Sequence, residues 1–218
     1  MGYLQLILLM ATANYSSEPI RSAVEPPAWQ EASPLLPSEI ELSNDNGYIT
    51  VAYVFAGGTG SRMACKYEKP MGSPWYLTGI KYYTKQGWPN SAYEGFGVAC
   101  WQFAGSTPGS IIWPAAGSFI YNPNTGGGWI RQNVVPAFNM ANCPSASFLV
   151  GIAQFYDYPV CDSFGYDNTF ADAQDWANPA GTGWGQAPFG KGTARAIMTQ
   201  STVGTETPTL GVIRALYR

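Results

Sequence analysis

The sequence predicts an all-β fold: a single antiparallel β-sandwich with an extended N-terminal arm and an extra C-terminal strand. Three observations carry this prediction. Charged residues make up only 11% of the 218 residues, while 25 Gly, 17 Pro and 15% aromatic residues give the composition of a turn-rich β protein. Short runs of β-branched and aromatic residues recur, each bounded by Gly, Pro, Asn, Asp or Ser. No stretch holds an apolar period of about 3.6 residues, and the frequent Gly and Pro would interrupt one.

In chain order, residues 1–16 (MGYLQLILLMATANYS) hold an apolar run from Leu4 to Ala13 followed by small residues. This is the pattern of a secretory signal peptide, although no Lys or Arg precedes the run. Its second reading is a donor strand buried in a neighbouring copy, with Leu4, Leu6 and Leu8 as its inserted side chains. Residues 17–42, rich in Pro, read as a linker arm.

The sandwich is expected over residues 43–200, from the runs GYITVAYVFAG, SRMACKYE, YLTGIKYYT, GFGVACWQF, SIIW, GWIRQNVV, SFLVGIAQFY and GTARAIMTQ. In FGVACWQF, Phe96, Val98 and Cys100 fall on one face and Ala99, Trp101 and Phe103 on the other. Both faces are apolar, so this strand is expected to be central. YNPNTGGGW (121–129) reads as a hairpin-type turn. Residues 163–190 read as one long loop holding Phe164, Tyr166, Phe170, Trp176 and Trp184. The last strand, LGVIRALY, lies in a C-terminal extension over 201–218, with Leu210, Val212 and Leu216 available to a neighbour.

Charge and apolar length exclude two classes of partner. A net charge of −3 with no concentration of Lys or Arg argues against nucleic acid. No apolar run reaches the ~18 residues that span a bilayer, so the chain is not expected to cross a membrane. Cys65, Cys100, Cys143 and Cys161 form an even set without a CxxC pair, which points to disulfides in an exported protein. The pairing Cys65–Cys100 with Cys143–Cys161 is preferred, and four buried free thiols are the alternative.

The chemistry available to the chain is narrow. It contains no histidine, which removes the usual general base and the commonest zinc ligand. Carboxylates remain: Glu94, Asp157, Asp162, Asp167, Asp172 and Asp175. A glycosidase would need two of them across a cleft, but Asp in a turn usually forms the turn, and no catalytic residue is assigned. No cofactor is implied beyond a candidate structural calcium ion. Its hard oxygen ligands would be Asn44, Asp45 and Asn46, or Asp162, Asp167 and Asn168. Trp75, Trp88, Trp113, Trp129, Trp176 and Trp184 fall at strand ends or in loops, and Trp176 and Trp184 are the candidates for stacking on a sugar or sealing an interface.

The order SNDNG, MACKY, YLTGIKYYT, GFGVACW, TPGSIIW, GWIRQNV, SFLVGIAQF and GKGTARAIM over 43–200 resembles the jelly-roll-like β-sandwich modules of secreted and surface proteins of bacteria. In those proteins the module often stands beside a C-terminal sorting domain. The resemblance implies a structural, adhesive or binding role at the cell surface and no catalytic residues. The function expected from all of this is a secreted subunit that assembles with copies of itself into a filament, sheath or surface array by exchanging strands. The alternative is a carbohydrate-binding or adhesive module using exposed Trp and Tyr. A glycosidase ranks behind both.

Overall fold

The computed structural model describes residues 35–55, 58–72, 74–85, 87–89, 94–115, 117–123, 126–169, 174–180, 182–187 and 190–200, and residues 20–28 as backbone. The strands are β1 (Ile20–Ala28), β2 (Glu39–Leu42), β3 (Ile49–Val54), β4 (Arg62–Glu68), β5 (Trp75–Thr84), β6 (Phe96–Ala104), β7 (Thr107–Trp113), β8 (Ile120–Asn122), β9 (Gly128–Asn139), β10 (Ser147–Gln154), β11 (Phe164–Asp167), β12 (Asp175–Asn178), β13 (Gly185–Gln186), β14 (Lys191–Gly192) and β15 (Arg195–Gln200). A single 3-10 turn, Met140–Asn142, follows β9, with the Asn139 side chain accepting from the Ala141 N–H at 2.9 Å. Among the described residues there is no α-helix, and no helix is long and apolar enough to cross a membrane.

The ladders are antiparallel, as expected for a sandwich. They form a seven-stranded sheet in the order β13-β12-β4-β10-β6-β7 with β8 also on β6, and two four-stranded sheets, β1-β3-β11-β14 and β2-β15-β5-β9. The main core joins inward side chains of all three, including Val51 and Tyr53, Met63 and Tyr67, Leu77 and Ile80, Phe148 and Val150, and Ala196 and Met198. β6 splits as its alternation predicts: Phe96, Val98 and Cys100 enter this core, while Ala99 and Trp101 enter a second cluster on the opposite face.

Three sequence expectations change. The 17–42 segment is not only an arm, because β1 joins β3 and β2 joins β15. Polar β2 was unreadable as a strand because its Glu39 and Glu41 are neutralised by partners distant in sequence. The 163–190 segment contains β11 to β14, ladders of two to four residues that are too short to show a period. The disulfides are absent: all four cysteines are buried free thiols. Cys65 and Cys100 both pair with Val150, from opposite sides of β10. They are therefore two strand spacings apart, about 9–10 Å, beyond the ~7 Å that a disulfide can bridge. Cys143 does not bond to Cys161; its thiol donates to the Ser145 carbonyl at 3.5 Å. Residues 1–16 and the C-terminal strand LGVIRALY, with Leu4, Leu6, Leu8, Leu210, Val212 and Leu216, lie outside the described residues.

On the outer face of the β2-β15-β5-β9 sheet, charged side chains form a clamp across all four strands. Arg131 of β9 donates to Glu39 of β2 through both terminal nitrogens, at 3.0 and 2.7 Å, and Thr78 of β5 donates to the same carboxylate at 2.7 Å. Glu41 accepts from Lys81 at 2.9 Å and from Arg195 at 2.5 Å. Arg195 also pairs with Asp45, and the Trp129 ring lies 4.0 Å from its guanidinium and 4.8 Å from the Lys81 ammonium.

Candidate functional site: an aromatic sheet face and its end loop

The acidic turns proposed for calcium turn most of their polar atoms to protein partners, although Asp167 Oδ2 is buried without one among the described residues. Asn44 donates to the Lys66 carbonyl at 2.7 Å, Asp45 is held by Arg195 and by the Gly47 N–H, and Asn46 accepts from the Tyr48 N–H at 2.8 Å. Asp162 accepts from the Gly95 N–H at 2.7 Å, Asp167 from the Thr169 N–H at 2.9 Å, and Asn168 from the Thr50 hydroxyl at 2.6 Å. Among the described residues no group of three or more Cys, Asp or Glu gathers around a metal-sized space.

The chemistry of the surface concentrates instead on the outer face of the seven-stranded sheet. Strand register builds it in rows. One row runs Trp176, Ala64, Gly151, Ala99 across β12, β4, β10 and β6. The row on one side runs Lys66, Leu149, Trp101, Ile111, and the row on the other Asn178, Arg62, Ala153, Gly97, Tyr121. The middle of the face is made of small residues, so large rings from its margins fold over it. Gly151 admits no side chain at all, since an added Cβ would collide with the Met63 carbonyl of β4.

The rings form a chain of contacts. Trp176 meets Phe103 at 5.4 Å, Trp101 meets Trp184 at 5.5 Å and Phe119 at 6.0 Å, and Phe119 meets Phe155 at 6.3 Å. Edge-to-face pairs of this kind contribute about 0.5–1.5 kcal/mol each beyond their burial. Trp176 is only 6% exposed, so its ring packs the face rather than presenting a platform, and Trp184 is half-buried against it. The indole N–H groups of Trp101 and Trp176, and the Arg62 Nε, are buried on this face without an acceptor.

Exposure increases toward one end. There the chain leaves β10 into Phe155-Tyr156-Asp157-Tyr158-Pro159-Val160, and Tyr121, Tyr156 and Tyr158 are 46%, 40% and 42% exposed. The backbone beneath these rings is fixed. The Gln154 amide donates to the Phe55 carbonyl at 3.0 Å and to the Tyr156 carbonyl at 2.8 Å. Asp157 accepts from the Thr59 N–H at 2.7 Å and its hydroxyl at 2.5 Å, bonds that hold its carboxyl below the usual range. Phe155 lies against Tyr121 at 5.8 Å, and both it and Phe119 cover Gly97. The loop therefore presents apolar rings on a tied backbone, which lowers the entropy cost of engaging a ligand.

Sequence reading singled out Trp176 and Trp184 and missed Phe119, Tyr121, Phe155, Tyr156, Tyr158 and Arg62. A usable signal existed for three of them: FYDYPV places three aromatics directly after a strand that is apolar on both faces. Phe119 carries no such signal.

The fold and this face define a β-sandwich with an aromatic surface, and two solved structures share that fold. One, the cysteine protease and lectin-like domains of Cwp84, a surface layer associated protein of Clostridium difficile, matches with a TM-score of 0.52 at 12% identity. The second, the clostridial cysteine protease Cwp84 C116A after propeptide cleavage, matches with a TM-score of 0.52 at 13% identity. Each likeness covers 78% of this chain but only 37% and 42% of the respective Cwp84 chains. No protein-family model and no curated protein matches the sequence.

Proposed function

We propose that this chain is a non-catalytic carbohydrate-binding β-sandwich of a cell-surface protein, with its site at the aromatic end of the seven-stranded sheet. The observation that carries this reading is the continuity of rings from buried Trp101 through Phe119 to the exposed loop at 155–160, on a backbone anchored by Gln154 and Asp157. Planar rings with one open face suit the apolar face of a sugar. The likeness to a chain containing lectin-like domains supports the reading at the level of fold, and its surface-layer association supports an extracellular location. The test is binding of a panel of neutral and acidic polysaccharides, with Phe155→Ala combined with Tyr121→Ala. Binding that weakens at least tenfold in the variant, with an unchanged melting temperature, supports the site. A folded protein that binds nothing in the panel overturns it.

A second reading, assembly with copies of itself, is favoured by one feature: β1 stands at the edge of its sheet and its ladder is to β3. An edge strand on a Pro-containing connection can pair with β3 of a neighbour by the same hydrogen bonds. Ser22 pairs with Ala52 in this register. Cysteines at both positions should cross-link into ladders on a non-reducing gel if the strand is exchanged. A cross-link confined to single chains would exclude exchange.

A further inference from the structure

The ligand's charge is legible in the same face. Arg62 opens β4 and occupies the row that contains Asn178, Ala153, Gly97 and Tyr121, with Tyr121 three strands along it and Phe119 and Phe155 covering Gly97 between them. Its guanidinium lies 5.4 Å from the centroid of Phe119. Arg131 and Arg195 are each held by carboxylates, and Lys81 and Lys66 are paired with Glu41 and Glu68. Arg62 has no carboxylate within ion-pairing distance among the described residues, and its Nε is buried without an acceptor. Of the acids around the exposed rings, Asp157 is turned to Thr59 and Asp162 accepts from the Gly95 N–H, while burial and the charges of Tyr156, Glu94 and Asp162 push the Tyr121 hydroxyl up.

Burying part of an unpaired cation is costly unless something negative completes it. Here the ring of Phe119 meets part of that need, and the same face adds two buried indole donors, those of Trp101 and Trp176, with no acceptor of their own. The face thus sets a guanidinium without a carboxylate partner beside apolar rings, the complement of a sugar that carries an anionic group.

Building on the carbohydrate reading, we propose that the site takes an acidic polysaccharide, whose carboxylate or phosphate is bound by Arg62 while its sugar ring stacks on Phe155 and Tyr121. A planar guanidinium forms paired, charge-assisted hydrogen bonds to either oxyanion. Loss of one such interaction weakens binding by about tenfold or more.

The experiment uses the full chain and three ligands: oligogalacturonate, the same oligosaccharide with its carboxyls methyl-esterified, and a phosphomannan, whose phosphates are carried on sugar rings. The expected result is that oligogalacturonate, phosphomannan or both bind at least tenfold tighter than the methyl ester, that this preference falls as salt is raised, and that Arg62→Gln removes it while Arg62→Lys restores part. The arm that binds identifies carboxylate or phosphate as the group recognised. If neither the free acid nor the phosphate polymer binds tighter than the ester, or if the preference survives Arg62→Gln, the assignment to Arg62 is overturned and the carbohydrate reading stands. No binding of any of the three, by a protein whose melting curve is intact, overturns the acidic-ligand proposal, and if the neutral polysaccharides of the panel also fail to bind, the carbohydrate reading falls with it.

Discussion

Gly79 shows how much one missing side chain can hold. It lies on β5 opposite Asn133, and an added Cβ would stand 2.9 Å from Arg131 Nε. The guanidinium passes over this bare position to reach Glu39, two strands beyond. Gly79→Ala should lift Arg131 from the sheet and break its two bonds to Glu39. We expect a loss of about 1–3 kcal/mol in urea denaturation, and no loss in an Arg131→Ala background, where the obstruction is gone. The thiols give a second test at this scale. Burial pushes Cys65 and Cys100 well above their ordinary range and Cys161 to about 12. Native protein should therefore resist iodoacetamide, whereas unreduced protein in guanidinium should gain four adducts by intact mass. Any adduct that appears only after reduction would reveal a disulfide. At this scale the sequence showed that the cysteines are an even set but not where they point. That depends on both Cys65 and Cys100 flanking Val150, a fact of register.

Strand β2 is the element whose stability depends most on charge. The Arg131 hydrogen bonds hold the Glu39 carboxyl at about 2, against an ordinary value of 4.5. Burial pushes Glu41 up, but its bonds to Lys81 and Arg195 outweigh this and hold it below its ordinary value. A carboxyl whose value is lowered in the folded state stabilises fully above its unfolded value and loses that contribution as pH falls toward the folded one. The denaturation midpoint should be flat above about pH 5 and fall steadily between pH 4.5 and about 2. Glu39→Gln should start lower at neutral pH and show a shallower fall. An unchanged acid slope in that variant would remove Glu39 from the clamp. The main strands were legible from alternation and bounding turns, as β6 shows, because burial on each face needs only local pattern. β2 and the ladders within 163–190 were not, because their hydrogen bonds go to strands far along the chain and their own residues are polar or few.

For the whole molecule, one seven-stranded sheet supports two apolar layers, the main core on one face and the aromatic cluster on the other. The two should respond differently to substitution. Gly151→Ala strains the centre of the sheet, against the Met63 backbone, and should cost at least ~2 kcal/mol or abolish folding. Tyr158→Ala, on an exposed loop, should leave stability within ~0.5 kcal/mol. If Tyr158→Ala also lowered the melting temperature by several degrees, the loop would be part of the fold rather than a presented surface. The sandwich was legible at this scale, and the aromatic face was not: Trp176, Trp101 and Phe119 come from separate parts of the chain and meet only after the small row of Ala64, Gly151 and Ala99 has formed between them.

The antiparallel pairing of β2 with β15 sets how the domain bears mechanical load. Thr199 lies opposite Glu39, so the chain enters β2 and leaves β15 at the same end of the sheet. Tension applied through residues 38 and 200 would open this pair as a zipper, one hydrogen bond at a time, starting at Glu39. The Arg131 bridge ties that first tooth to β9 on the far edge of the sheet. In single-molecule pulling between these two points, Arg131→Ala should lower the peak force. An unchanged peak would place the main resistance deeper in the sandwich.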